Sequence, residues 1–429
     1  MMAAATAASQ GLSVTLLEKN EKLGKKLYIT GKGRCNLTND TDIPGLISQV
    51  ISNPRFLHSA FHALDSAALI SFIENLGVPL KTERGGRVFP VSDKANDINH
   101  ALEAHLKATG VKVMLNCTVQ DIRAGKDNAS TTNDDFEVIY CRQKKSNFTP
   151  LHNHNPTQPH TATAQALIIA TGGLSYPSTG STGDGYTWGR ALGHTIIPTS
   201  PSLVPLKAKE PWLPSLAGLS LKNVKCTLSI KPNRTILFEE LGEMLFTPTG
   251  ITGPLILSAS AYLAGKPDAD PIISIDLKPG LTPAQLDARL LRDFDVNKNK
   301  DFCNALEGLL PQRLINTIIT LSEIPPDKKV HTITKPQRQR LVHLLKHLEI
   351  RPTGNAGYKE AVITTGGIST KEVSPKTLMS KQVPGLFFAG EILDVDALTG
   401  GYNMQIAFST GYLAGLSAVS FLTNLSHRP

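Results

Sequence analysis

Two groups of residues near opposite ends of this 429-residue chain have the types and spacing to hold a dinucleotide. Near the start, VTLLEKN puts Glu18 at the end of an apolar run, and GKGRCNLTN follows with one arginine and one cysteine among glycines. A carboxylate ending such a strand can accept both hydroxyls of an adenosine ribose. Near the finish, Leu386 to Gly411 repeats the grammar: an apolar run enters Gly390-Glu391, and Gly400-Gly401 opens a helix. A third stretch, ATGGLSYPSTGSTGDGY, sets Thr171, Gly172 and Gly173 directly after an apolar strand. Backbone of that kind permits close approach by a flat ligand, the alternative being a plain glycine-rich connection.

A site built from both ends requires a nucleotide fold interrupted by other material. The spacing predicts a Rossmann-like α/β domain over 1–197 and 351–429, with an inserted domain, β-rich and then helical, over 198–350. In such a fold the glycine-rich phosphate turn lies about 20 residues before the acid, which here is at or before Met1. Ala3 to Gly11 then reads as the helix after that turn, stopped by Gly11. The expectation is a chain beginning one strand late, through a misassigned start or a natural truncation, without the amides that cradle a pyrophosphate. A targeting peptide is the other reading of MMAAATAASQG, which lacks a basic n-region and arginines.

Helical spacing covers Asp65 to Leu76 and Ile98 to Thr109, while Val111 to Val119, Phe136 to Cys141 and Ala166 to Ala170 read as strands. Ser146 to Gln165, with His152, His154 and His160, reads as a solvated loop without function. Within the insertion, Val224 to Ile230 and Ile272 to Leu277 are strand-like, and Thr282 to Leu348 turns helical.

Composition bounds the rest. Hydrophobic residues make up 41% and charged residues 19%, ordinary for a globular chain of two or three domains. Five scattered cysteines without a C-x-x-C indicate neither a disulfide framework nor a zinc site, which suits a reducing cytoplasm. No stretch approaches the ~20 apolar residues that span a bilayer, so a soluble protein without a membrane partner is expected. The net charge of +8 would attract anionic ligands, nucleotides first and nucleic acid second.

Five segments, in order, carry a specific resemblance: EKNEKLGKKLYITGKGRCNLTN, GGRVFPVSDKANDI, ATGGLSYPSTGSTGDGY, FTPTGITGPLIL and AGEILDVDALTGGYNMQIA. Together they resemble the HI0933-like or BaiN-type (aminoacetone-oxidase-like) FAD-dependent oxidoreductases over nearly the whole chain. The resemblance implies FAD as cofactor and, residue by residue, Glu18 as the ribose ligand. It sets Lys25, Arg34, Cys35, Asn36 and Thr38 in the loop facing the phosphates and flavin. Arg34 would neutralise the pyrophosphate through paired hydrogen bonds, a structural salt bridge being its alternative. Cys35, without a second cysteine for a dithiol relay, fits a buried small side chain. Val119 would offer backbone hydrogen bonds to adenine, or simply belong to the core. Gly390 would let the backbone approach, and either Glu391 or Asp394 would accept ribityl hydroxyls. Gly400, Gly401 and Asn403 would lead into a helix through Gln405 and Ile406 whose amides favour negative charge on the reduced ring.

The implied activity is two-electron hydride transfer on a small organic substrate, an enone or an amine, with NAD(P)H as a candidate reductant. Tyr176, His194 and Tyr402 are conceivable proton donors, though packed roles suit them better, and the sequence marks no catalytic acid or base. A flavoprotein acting on RNA and a non-catalytic remnant that does not retain FAD are the rival readings.

Overall fold

The alanine-rich start folds as helix Met2–Ser9, apolar on every side and therefore obliged to be buried. It packs on the long helix Tyr402–Ser426 at the far end of the sequence. Gly415 makes that crossing close: a Cβ there would lie 2.7 Å from the Ala3 carbonyl oxygen and 2.9 Å from the Thr6 Cβ. The computed structural model describes residues 1–125, 135–142 and 158–426. They form two units, one from Met1–Pro201 with Val362–Pro429, the other from Ser202–Ala361.

The first unit is a Rossmann-type assembly built on parallel strand pairs. Thr15–Leu17 pairs with Lys112–Met114, and Leu167–Ile169 with Leu386–Phe388. The last of these strands is buried throughout, as a parallel strand covered on both faces must be. An antiparallel sheet of Cys117–Arg123, Phe136–Arg142 and His160–Ala164 stands beside them. A smaller one joins Thr38–Asn39, Arg87–Pro90 and Leu80–Glu83.

Four expectations are corrected. The run 111–119 is two strands, because Asn116 takes a left-handed φ of 56° and turns the chain between them. His160 begins a strand rather than lying in a loop, with Ala162 and Ala164 alternating along it; His152 and His154 fall outside the described residues. The inserted unit extends to Ala361 rather than 350, because Pro352–Asn355 pairs antiparallel with Leu206–Ala208. Finally, the 24 residues Tyr402–Leu425 are long and apolar enough to cross a membrane, and half of the apolar stretch is buried inside the unit. The bent pair Pro54–Ala63 and Ser66–Asn75 passes the same test if taken as one span.

The second unit is one seven-stranded sheet in the order Leu348–Ile350, Pro271–Asp276, Ser220–Ile230, Thr235–Thr247, Gly250–Thr252, Leu206–Ala208, Pro352–Asn355. Its helical partners include Pro283–Val296 and Lys335–Lys346, each started by a capping box, Thr282 with Gln285 and Thr334 with Gln337. Leu286, Leu290, Leu341 and Leu345 bury their apolar sides against the sheet.

Candidate dinucleotide site

Glu18 stands where its strand ends, with its backbone fixed on both sides: its N–H donates to the Met114 carbonyl at 2.9 Å, and its carbonyl accepts from the Cys117 N–H at 2.9 Å. The carboxylate accepts from the Asn20 N–H at 2.8 Å and from Asn20 Nδ2 at 2.7 Å, both at Oε1. Among the described residues Oε2 takes no hydrogen bond, and Glu18 lines a cavity of about 780 Å³ with Gly24, Val119, Thr171, Gly180 and Ser181. Two glycines shape this end. A Cβ on Gly180 would lie 2.6 Å from Asn20 Nδ2, and one on Gly172 2.8 Å from Ser181 Oγ; both residues have positive φ, 102° and 73°. Lys19 closes the rim through Thr182 Oγ1 at 2.5 Å and Asp184 at 2.6 Å.

The second focus joins residues from four segments. Glu391 Oε1 accepts from Ser175 Oγ at 2.5 Å and from the Thr364 N–H at 2.8 Å, while Lys26 Nζ reaches Ser175 Oγ at 2.6 Å and Glu391 Oε2. Thr364 Oγ1 in turn accepts from the backbone N–H groups of Leu174 at 2.8 Å and Ser175 at 3.1 Å. A Cβ on Gly173 would lie 2.5 Å from that same oxygen, so this glycine is required by the packing. Of the two adjacent lysines, Lys25 turns away to pair with Glu21 at 2.7 Å. Lys26, Ser175 and Thr364 were not singled out from sequence; the Thr-Gly-Gly of 365–367, echoing 171–173, is the one signal that could have drawn attention to the last.

The two ends of the chain are locked together at Thr38. Its Oγ1 meets Gln405 Oε1 at 2.5 Å and Ser66 Oγ at 3.2 Å, and Gln405 Nε2 continues to the Leu64 carbonyl at 2.9 Å. Asn39 Nδ2 donates to the Gly400 carbonyl at 3.1 Å. Asn403 turns its side chain inward, accepting from the Ala397 N–H at 2.9 Å and donating to the Ala397 carbonyl at 2.7 Å, while Ile406 is buried. Gly390 has φ 79° and donates its N–H to Thr410 Oγ1 at 2.9 Å. Asp394 sits apart, bonded to Asn53 Nδ2 at 2.9 Å, and burial with Asp396 nearby pushes its carboxyl above the usual range.

Arg34 is already paired. Its guanidinium lies 4.1 Å from the Phe89 ring centroid, bonds Glu83, and contacts Asp93 at 2.6 Å. The hydrogen bond from Arg34 draws the Glu83 carboxyl below its ordinary range; Lys81 first, then Arg34, does the same to Asp93. Cys35 is wholly buried at φ 61°, and burial pushes its thiol up to about 12, so it holds no thiolate at neutral pH. His194 is buried with Nε2 2.9 Å from Ser380 Oγ and Nδ1 3.4 Å from Glu372, beyond good hydrogen-bond reach.

Two observations test whether FAD suits these residues. Thr171 Oγ1 and Asn36 Oδ1 are buried without a hydrogen-bond partner among the described residues, an expensive state that a polar ligand relieves. The glycine backbone around Glu18 leaves room for a ribose beside the free carboxylate oxygen. The residues present fit the group.

The description "HI0933-like protein Rossmann domain" matches residues 1–417. The chain is 30% identical over 422 residues to the 3-dehydro-bile acid delta(4,6)-reductase of Clostridium scindens, covering 97% of this chain and 95% of that protein. It is 31% identical over 420 residues to a ribosomal RNA dihydrouridine synthase of Haemophilus influenzae, again covering 97% and 95%. Among solved structures, the 3-ketosteroid-delta4-(5alpha)-dehydrogenase of Rhodococcus jostii RHA1 matches with a TM-score of 0.48 and 13% identity over 98% of this chain and 94% of that one. With its motifs in order and the family pattern running through 417 residues, the chain belongs to the HI0933-like family of FAD-dependent oxidoreductases.

Proposed function

We propose that this protein reduces a carbon–carbon double bond conjugated to a carbonyl in a small organic substrate, using FAD recharged by NAD(P)H, in the cytoplasm. The observation that carries the reading is the convergence, in one unit, of the Glu18 cavity, the Lys26–Ser175–Glu391 cluster and the Thr38–Gln405 lock. FAD, when bound, supplies a hydride acceptor and donor at N5. Glu18 would hold the ribose, Thr171 and Asn36 would bond polar edges, and Glu391 would accept ribityl hydroxyls while Lys26 fixes its orientation. Conjugation matters because hydride added to the β-carbon leaves charge that the carbonyl oxygen can carry, and a proton then closes the α-carbon.

The enone is favoured over the amine because the names of both relatives describe reduction of ring unsaturation: the delta(4,6) unsaturation of a 3-dehydro-bile acid, and the uracil double bond lost in dihydrouridine. That none of the five cysteines is joined in a disulfide supports the cytoplasm. In the test, purified chain is incubated anaerobically with FAD, NADPH and a 4-en-3-one steroid, and the product's mass is measured. Gain of two hydrogens with NADPH oxidation is expected. A colourless protein that takes up no FAD would sink the reading in favour of a non-catalytic remnant. A second reading, the same reduction on RNA, draws on the rRNA-acting relative and the +8 charge. Dihydrouridine appearing in RNA, with the steroid untouched, would favour it.

A further inference from the structure

In the first unit, a second cavity of about 450 Å³ lies between two segments from opposite halves of the sequence, Asn53 to Phe56 and Thr370 with Lys371. None of these six residues lines the Glu18 cavity. Two of them carry positive charge and none carries negative. Arg55 and Lys371 are exposed, and among the described residues neither forms an ion pair, whereas Lys26, Arg34 and Lys81 of the same unit are each held by a carboxylate.

Both segments are fixed by contacts that leave these two side chains unspent. Asn53 turns the chain at a left-handed φ of 53° and is clamped through Nδ2 to the Asp394 carbonyl at 2.7 Å and carboxylate at 2.9 Å. Phe56 and Leu57 then enter the core, which leaves Arg55 on the outer side of the turn. On the other segment, Glu372 accepts from the Thr195 N–H at 2.8 Å and hydroxyl at 2.7 Å, and Val373 is fully buried. The Lys371 carbonyl accepts from Lys381 Nζ at 2.8 Å, which brings a third ammonium beside the cavity wall. The acids tied to these segments, Asp394 and Glu372, are thus engaged by Asn53 and Thr195, and neither lines the cavity.

Lysines and arginines usually spread over a solvated face. Here they share a concavity, where like charge focuses the field and draws in an anion. A guanidinium matches two oxygens of a phosphate, and an ammonium adds a mobile point charge. The Thr370 hydroxyl, which makes no hydrogen bond among the described residues, is a further donor, and Pro54 and Phe56 supply an apolar wall. The volume lies within the range of small-molecule sites, about 300 to 1,000 Å³. We propose that Arg55, Lys371 and Thr370 form a binding site for the phosphate dianion of a small molecule, separate from the dinucleotide site.

The full chain with saturating FAD is titrated calorimetrically at low ionic strength with inorganic phosphate, 2′-AMP and adenosine. Phosphate or 2′-AMP should bind and adenosine should not. Equal affinity for the first two identifies free phosphate as the source. Tighter binding of 2′-AMP identifies a nucleotide monoester, the group that NADPH has and NADH lacks. Arg55→Ala and Lys371→Ala should each weaken binding roughly tenfold, and Arg55→Lys should recover only part, since it keeps the charge without the fork. Lys107→Ala, which removes an exposed charge elsewhere on the same unit, should change little. Because the variants locate the binding whether or not FAD is retained, failure of the proposed reaction leaves this test standing. No binding of either phosphate, or equal loss in the Lys107 variant, would overturn the proposal. So would a short RNA that binds through Arg55 and Lys371 while both small probes do not.

Discussion

Gly401 presses its backbone against that of Thr38: a Cβ at 401 would lie 2.3 Å from the Thr38 carbonyl oxygen and 2.4 Å from its carbonyl carbon. These residues are more than 360 positions apart in sequence, so this contact is one of those that join the two portions of the nucleotide-binding unit. Gly401 also has φ 103°, a region side-chain-bearing residues avoid.

Gly401→Ala should therefore destabilise the first unit by about 2 to 4 kcal/mol, read as a fall in the denaturation midpoint. Gly77→Ala is the control. Gly77 shares a positive φ of 87° but has open space around it, so only the backbone cost, about 1 kcal/mol, applies. Equal losses in the two variants would mean that the close approach to Thr38 contributes nothing.

Glu18, Gly172 and Gly401 were legible in the sequence because a strand-ending acid and glycine turns leave local signatures. What escaped reading depends on direction or distant pairing. Lys25 and Lys26 are chemically alike, and one step around a helix sends the first to Glu21 and the second to Glu391. The end of the insertion was misplaced because only its pairing with Leu206–Ala208 keeps Pro352–Asn355 there. Thr364 has no local mark beyond the Thr-Gly-Gly that follows it. Its hydroxyl matters because Leu174 and Ser175, nearly two hundred residues earlier, aim their N–H groups at it.

Arg34→Ala should flatten the acid limb of stability and leave flavin retention unchanged. Glu83 and Asp93 have folded pKa values below their unfolded ones. Their contribution is thus present above the ordinary carboxylate range and lost as pH falls through the lowered folded values. Without the guanidinium, that acid loss should shrink in urea titrations taken across the range. Flavin lost from the variant at neutral pH would instead give Arg34 to the pyrophosphate.

His194 titrates in the other direction. Burial lowers its pKa from the ordinary 6.5, and the nearby Glu372 only partly opposes this. Above 6.5 the ring is neutral in folded and unfolded chains alike. Below it the unfolded chain takes the proton first, so stability should decline as pH falls from about 7 toward 5. His194→Gln should remove that decline while keeping a polar contact available to Ser380. An unchanged slope in the variant would assign the pH dependence elsewhere.

Lys26 provides the sharpest test of the second focus, because its neighbour is a built-in control. Lys26→Met would leave Glu391 held by Ser175 and Thr364 but without its cation, and free to swing from the orientation that accepts ribityl hydroxyls. Losing one charge-assisted hydrogen bond of about 1.5 to 3 kcal/mol should raise the flavin dissociation constant roughly ten- to a hundredfold, followed by flavin fluorescence. Lys26→Arg, which keeps the charge, should recover part of that loss. Lys25→Met should change little, since Lys25 serves a half-exposed pair with Glu21. The denaturation midpoint of flavin-free protein separates positioning from folding, because a positioning role leaves that midpoint nearly fixed while affinity falls. Equal loss of affinity from the Lys25 and Lys26 variants would reduce both to general attraction of an anionic ligand, and the Lys26–Glu391 contact would carry no orientation.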